Sequence, residues 1–324
     1  MTNSHASQTR LALMALFLCV YAPALAQERP LTSQAPIRVA VELTLVEATV
    51  KDKAGRVMGN LKKEDFRIFE NGVEQEITHF SRDQIPLAVA LAVDLSGSIQ
   101  PFIRPLRYAT LSALKVLKPE DQVALFTFTD GVDQRVELTH DKREVSDVFE
   151  DVSVGGGTNI NDAVYEAAHY LKQQAPAARR VIILVSDNVP TSEGRNLPPD
   201  VVKAAPEADA AIYSIRVPGR NPIGSGVSAR MRGGLVNVNK ITQDTGGEVF
   251  EVQQDGSLFL SFKNVIERLK TRYTLGYYPK NERLDGSFRA LNVELADVFG
   301  RKGGAYTILS KKGYYARRGA SANN

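Results

Sequence analysis

The sequence predicts an α/β protein: a doubly wound, mostly parallel sheet, with N- and C-terminal β segments at its flanks whose shared character suggests one small β domain. Three observations lead there. The runs 87–93, 123–128 and 181–185 are apolar but for Thr127 and read as buried strands. The segments between them repeat apolar residues at helical spacing, so strands and helices alternate. Residues 37–45 and the last fifty or so instead show alternation and paired turn signals, the pattern of antiparallel sheet.

Taken in order, residues 1–26 read as a signal peptide. Arg10 precedes an apolar run over 11–20, and Ala24-Leu25-Ala26 is a small-x-small cleavage site before Gln27. The run is short for a membrane anchor. Cys19 is the only cysteine and lies inside this segment, so the mature chain is expected to have no disulfide and no thiolate for catalysis or zinc. An exported protein, periplasmic or secreted, with no transmembrane segment in the mature chain is the expectation. Residues 27–36 form a polar lead-in. The N-terminal β block spans 37–84. Ile37, Val39, Val41, Leu43 and Leu45 are expected on one face, and Arg38, Glu42 and Thr44 on the other. Asp52-Lys53-Ala54-Gly55 marks a turn. Phe66 and Ile68 lead a strand into an Asn71-Gly72 hairpin that returns over 73–80.

The doubly wound domain spans 85–270. After the strand at 87–93, Ile103, Leu106, Ala113, Leu114 and Leu117 give a helix. A strand at 123–128 precedes a short polar edge strand at 135–138 and a surface helix over 141–152. Gly155-Gly156-Gly157-Thr158-Asn159 opens a helix carrying Ile160, Ala163, Val164, Ala167, Ala168 and Leu171. Strands at 181–185, 210–215 and 248–252 and helices at 236–242 and 258–269 complete it. The C-terminal β block, 271–317, holds strands at 273–278, 288–295 and 306–309, and residues 318–324 form a small polar tail read as disordered.

Composition narrows the function. A formal net charge of +3 is too small to point to nucleic acid or a membrane surface as partner. In an open parallel sheet, ligands bind at the carboxyl ends of the strands. Asp94, Ser96 and Ser98 follow the first such strand, Thr158 sits in the glycine loop that starts a helix, and Asp187 follows the most apolar strand. On its own, Asp94-Leu95-Ser96-Gly97-Ser98 is equally an Asp cap followed by a Ser-rich turn. Together, two carboxylates and three hydroxyls can hold one octahedral divalent cation and leave a position open. Mg²⁺ is the first choice, and Mn²⁺ or Ca²⁺ also fit. An acidic group from a partner is the natural remaining ligand.

Asp94-x-Ser96-x-Ser98, then Gly156-Gly157-Thr158, then Asp187 resemble the metal-ion-dependent adhesion site of the von Willebrand factor type A domain, a Rossmann-like fold. The resemblance covers about residues 84–270. It implies direct coordination by Ser96, Ser98 and Thr158, with Asp94 and Asp187 binding directly or through water. It also implies a sphere completed by a Glu or Asp of a protein partner. Many members have Gly after the last aspartate, where this chain has Asn188. The flanks, Leu61-x-x-Glu64-Asp65-Phe66-x-Ile68 with Asn71-Gly72 and Tyr273-x-Leu275-Gly276-Tyr277-Tyr278 with Gly313-Tyr314-Tyr315, are similar to the acidobacterial VWFA-related proteins, exported proteins of undefined role.

Other chemistries find less support. Gly155-Gly156-Gly157 lacks the lysine of a phosphate loop, and no G-x-S-x-G elbow or triad context surrounds His79, His140 or His169. The Glu64/Asp65 and Glu120/Asp121 pairs read as caps, and Asp162 either reaches the metal indirectly or favours a helix N-terminus. The loop 218–234 emerges at the metal edge, and Arg216, Arg220, Arg230 and Arg232 form a candidate basic rim for an acidic partner segment. The expected function is non-enzymatic: an exported binding or adhesion-type protein that recognises a carboxylate of a protein or peptide through the metal. A structural envelope protein with a metal-stabilised domain is the alternative, and a hydrolase using metal-bound water, which lacks a general base, ranks behind both.

Overall fold

The computed structural model describes residues 42–82, 85–192, 194–219, 235–253, 258–296 and 306–318. The signal peptide, the lead-in, Arg220, Arg230, Arg232 and most of the tail lie outside them.

The first strand, β1 (Thr44–Lys51), buries Val46, Ala48 and Val50 completely. Of the strand expected from 37, residues 37–41 lie outside the described residues; within them the strand begins at Thr44, and here the structure corrects the sequence, because its inward set is even-numbered. A one-residue shift turns every side chain to the other face, and the odd face instead carries Leu45 and Glu47. β2 (Phe66–Glu70) turns into β3 (Val73–Gln75) through Asn71 and Gly72, both at positive φ (48° and 80°), as a type I′ turn requires. The return strand expected over 73–80 is split. β3 pairs with β2, whereas β4 (His79–Arg82) crosses to a different sheet.

The α/β layer follows. β5 (Leu87–Asp94) is buried at every position. α1 (Ile103–Leu114) leads to β6 (Gln122–Phe128) and to the edge strand β7 (Val132–Thr139), longer than expected and antiparallel to β6. The helix expected over 141–152 is shorter: α2 (Lys142–Asp147) ends in a single 3-10 turn. α3 (Ile160–Gln174), capped by the Asn159 side chain, precedes β8 (Arg179–Ser186). α4 (Pro198–Glu207) was not legible in the sequence, because only Val201 and Ala205 are buried on it and Pro206 interrupts its pattern. β9 (Ala210–Arg216), α5 (Val238–Asp244), β10 (Val249–Glu251) and α6 (Leu258–Lys270) complete the layer.

The central sheet runs β10-β9-β8-β5-β6-β7, parallel except for β7. Strand alternation divides its core. Leu87, Val89, Leu91 and Val93 pack with α1 and α6; Ala88, Ala90 and Ala92 lie under the small residues Ala163, Ala167 and Ala168 of α3. The small-on-small contact lets α3 sit close to the sheet, directly behind the loop that carries Thr158.

The chain then returns to β structure. β11 (Tyr273–Tyr277), β12 (Phe288–Leu295), β13 (Thr307–Ser310) and β14 (Gly313–Tyr315) join the first four strands in two antiparallel sheets, β13-β1-β11-β4 and β14-β12-β2-β3. Their facing residues, among them Val46, Ile68, Leu275 and Val293, share one core, so the two β blocks form a sandwich. The α/β layer leaves and re-enters it at adjacent strands, with Arg82 opposite Tyr273. Charge joins the two parts. Glu47 contacts Arg179, accepts from Arg272 Nη1 at 3.0 Å, and so sits between two buried guanidinium groups. Glu248 pairs with Lys51 at 2.5 Å and Arg268 at 3.2 Å.

Candidate metal centre

Asp94 ends β5 with no exposed surface. Its Oδ1 accepts the Ser96 N–H at 2.8 Å, and its Oδ2 accepts the Ser186 hydroxyl, from the neighbouring end of β8, at 2.7 Å. The Ser96 and Ser98 hydroxyl oxygens lie 3.0 Å apart. The Leu95 N–H donates to Phe128 O, and Leu95 O accepts the Gly155 N–H, each at 2.8 Å. The Asp94 loop is thereby stitched to β6 on one side and to the glycine loop on the other.

Thr158 is buried in that loop. Its N–H donates to Thr191 Oγ1 at 2.9 Å, and its carbonyl accepts the N–H groups of Thr191 and Ser192 at 3.1 and 3.3 Å. Thr191 lies four residues after Asp187, so the loops bearing Thr158 and Asp187 are locked together. Asp187 is buried and folds its Oδ1 onto the Val189 N–H at 2.9 Å. Asn188 adopts φ 58°, the left-handed conformation a glycine would supply there. Its Nδ2 donates to Ser214 Oγ of β9 at 2.8 Å, and its N–H donates to Ser186 Oγ at 3.0 Å. A continuous chain therefore runs from Ser214 through Asn188 and Ser186 to Asp94.

Further residues support the site; the sequence singles out Asp162 among them but not Asp130, Thr191 or Ser192. The Asp130 carboxylate accepts the Ser192 hydroxyl and, at 3.0 Å, the Gly157 N–H, and these bonds hold it below its ordinary pKa. A Cβ on Gly157 would collide with this carboxylate and with Ser192. Asp162 accepts from the N–H groups of Arg195 and Asn196 at 3.0 and 2.8 Å and from the Asn159 side chain at 2.9 Å. Burial alone would raise its pKa, but those donors hold it down. It fastens the loop after Asp187 to α3. An Asp-Gly turn at 130–131 was the available sequence signal for Asp130; Ser186 and Ser214 offered none.

Electrostatics single out Asp94. Burial pushes its carboxyl up to about 6; the Ser186 and Ser96 donors oppose the rise, and the charge on Asp187 adds to it. Among the described residues, no basic side chain pairs with either aspartate. Two buried carboxylates, a hydroxyl pair beside one of them and a threonine loop locked to the other make an all-oxygen donor set with uncompensated negative charge. A hard divalent cation fits that set. Among the described residues, no group of three or more His, Cys, Asp or Glu is arranged for a metal, as expected where hydroxyls supply most of the donors.

Arg216 ends β9 on the same edge of the sheet, as the sequence placed it. Its guanidinium grips Glu251 of β10 at 2.6 Å, so its charge is already engaged. His79 and His140 are exposed, and His169 stacks on Tyr165 and contacts Gln173 at 2.7 Å. Asp121 accepts from Leu87 N–H and Lys118 N–H, both at 2.8 Å, and serves as a loop cap. No helix among the described residues is long and apolar enough to cross a membrane.

Residues 89–189 match the model of the von Willebrand factor type A domain, and all five candidate ligands fall inside that span. No curated protein matches the chain by sequence. Among solved structures, an aerotolerance-related membrane protein from Bacteroides fragilis is 18% identical, with 56% of this chain and 99% of that one covered and a TM-score of 0.43. A von Willebrand factor type A protein from Catenulispora acidiphila is 13% identical, covers 82% and 76%, and has a TM-score of 0.48. The pilus adhesin SpaC from Lactobacillus rhamnosus GG, in its open conformation, is 11% identical, covers 80% and 48%, and has a TM-score of 0.46.

Proposed function

We propose that this chain, which carries a von Willebrand factor type A domain over residues 89–189, is an exported binding protein that holds a carboxylate of a protein partner through a divalent cation. Asp94, Ser96, Ser98, Thr158 and Asp187 would hold the ion, Mg²⁺ before Mn²⁺ or Ca²⁺. The observation that carries this reading is the pair of buried aspartates with no cation among the described residues paired to them. A bound ion would supply positive charge and an open coordination position for an external oxygen ligand. The chain's own residues do the positioning. Ser186 and the Ser96 N–H fix the Asp94 oxygens, and Asn188 and Ser214 fix the turn that presents Asp187. The residues expected as a basic rim contribute little through Arg216, whose charge Glu251 neutralises. Export rests on the signal-like segment of the sequence.

The test is capture of partners from an envelope extract with Mg²⁺ or with a chelator, using the wild-type chain and Asp94→Ala. Capture that requires both the ion and Asp94 supports the reading. Capture indifferent to both, with only the melting temperature responding to Mg²⁺, would replace it with a structural role for the metal.

The chain from Ser214 to Asp94 gives a second expectation. Ser214→Ala removes the partner of Asn188 and should weaken Mg²⁺ binding about tenfold, the usual cost of losing a residue that orients a ligand. Isothermal titration would measure it, and an unchanged dissociation constant would show that the turn needs no clamp.

A further inference from the structure

The amino ends of β8 and β9 lie at the opposite end of the sheet from Asp94 and Asp187. A cavity of about 120 Å³ sits there, between the sheet and strands β1 and β11 of the sandwich. Its lining includes the apolar Leu45, Ile85, Pro206 and Ala210 and the cationic Arg179, Arg180, Arg272 and Lys311. Pro176, Ala177 and Asp209 are exposed at its mouth. Arg179 and Arg272 are the most buried of its cations, their side chains 4% and 1% exposed.

We propose that this cavity binds a small oxyanion, a short carboxylate or phosphate, between Arg179, Arg180 and Arg272. The first argument is unmet hydrogen bonding. Arg179 Nη2 donates to Leu269 O at 2.9 Å, Arg180 Nη1 to Ala175 O and Pro176 O at 3.1 and 3.0 Å, and Arg272 to Glu47 and Gly246 O, but Arg179 Nη1, Arg180 Nε and Arg272 Nε have no acceptor. Arg179 Nε touches Glu47 without making an aligned hydrogen bond. Buried charged donors without acceptors are costly, and the three arginines share a deficit that an occupant would meet by drawing these guanidinium groups, whose unpaired nitrogens have almost no surface of their own, toward the cavity. The second argument is charge. Four cationic side chains face Glu47 and Asp209, while the remaining lining carboxylate, Asp244, is held by Lys240 at 2.5 Å. Asp209 already serves Lys311 at 2.6 Å and Arg180 at 3.7 Å. Water could accept from these donors but would leave the positive excess; an oxyanion meets both needs, and guanidinium groups are suited to its geometry. The third argument is size. A space of about 120 Å³ is ample for phosphate or a short carboxylate. The occupant would bridge β8 to the connector between α6 and β11, and this proposal does not depend on the metal reading.

The experiment uses the full chain. Its melting temperature is followed against sodium acetate, propionate and phosphate, with sodium chloride at matched ionic strength, and calorimetry gives the affinity. The expected result is a saturable rise of a few degrees at about a hundred times the dissociation constant, absent with chloride. Arg180→Gln, at the half-buried edge of the cavity, should weaken the affinity at least about fivefold, as the loss of a charge-assisted hydrogen bond does, and Arg272→Lys should do the same. Arg195→Gln, on the far edge of the sheet, should change nothing. Preference for acetate and propionate identifies an organic acid, and preference for phosphate the inorganic ion; either supports the site. A rise that chloride reproduces, no rise with any anion, or binding that survives Arg180→Gln overturns it. Arg180→Gln decides alone should Arg272→Lys fail to fold.

Discussion

Asp94→Asn is expected to abolish Mg²⁺ binding and, in the same protein, to stabilise the metal-free fold at neutral pH. The two effects share a cause. Asp94 is fully buried and its folded pKa stands at about 6, above the ordinary value of 3.8. Between those values the folded state holds a proton that the unfolded state has released. The stability contributed by that protonated carboxyl is complete below about pH 4 and is lost as pH rises through 6. A shift of this size corresponds to about 3 kcal/mol at most, at about 1.4 kcal/mol per pKa unit. Asparagine keeps the shape and a carbonyl acceptor but never ionises, so its metal-free stability should not fall over that range. Wild-type protein with millimolar Mg²⁺ should reverse the trend above pH 6, where the ionised carboxylate becomes a ligand. Urea unfolding of both proteins from pH 4.5 to 7.5, with chelator and with Mg²⁺, measures this directly. The account fails if the chelated wild type and the variant keep a constant stability difference across that range.

Glu47→Ala should be strongly destabilising, although it lies away from the metal edge. It strips the counter-charge from Arg179 and Arg272 together, and both side chains are almost wholly buried. Removing one member of a buried ion pair typically costs about 3–5 kcal/mol, because the charge left behind is uncompensated. Glu47 itself is 22% exposed, which admits some solvent and favours the lower end, about 3 kcal/mol. Glu47→Gln retains an acceptor for Arg272 and should cost less. Chemical denaturation at neutral pH checks the order of the two variants; a loss below about 1 kcal/mol for Glu47→Ala would place the group in the class of screened surface pairs.

Much of the α/β layer was legible because a strand buried on both faces leaves an unbroken apolar run, and 87–93 and 181–185 are such runs. The five candidate donors could be picked out for a related reason: each follows a recognisable strand or precedes a recognisable helix. What stayed hidden was set by distant partners. The face of β1 depends on Glu47 meeting Arg179 and Arg272, more than a hundred residues downstream, and local alternation over 37–45 carried no trace of that. The split of 73–80 reflects a choice between β2 and β11, made by pairing and not by propensity. Ser186 looks like the polar end of an apolar strand until Asp94 is placed 2.7 Å away. Asn188, a departure from the glycine common in the related motif, proves conformationally equivalent to it at φ 58° and adds a clamp on Ser214 that glycine could not make.

The entry and exit of the α/β layer at Arg82 and Tyr273 make it an insertion in the sandwich. During vectorial synthesis the earliest strands appear long before their partners: Thr44 must await Tyr277, and Ile68 must await Val293. An unstructured loop of that length would pay a large closure entropy and leave strand edges open to other chains. Once the insertion folds, its two ends stand side by side, and the long loop becomes a short, rigid one. The α/β layer thus acts as an internal splint that brings the strands before and after it together, and the topology predicts an order of assembly from the middle of the sequence outward.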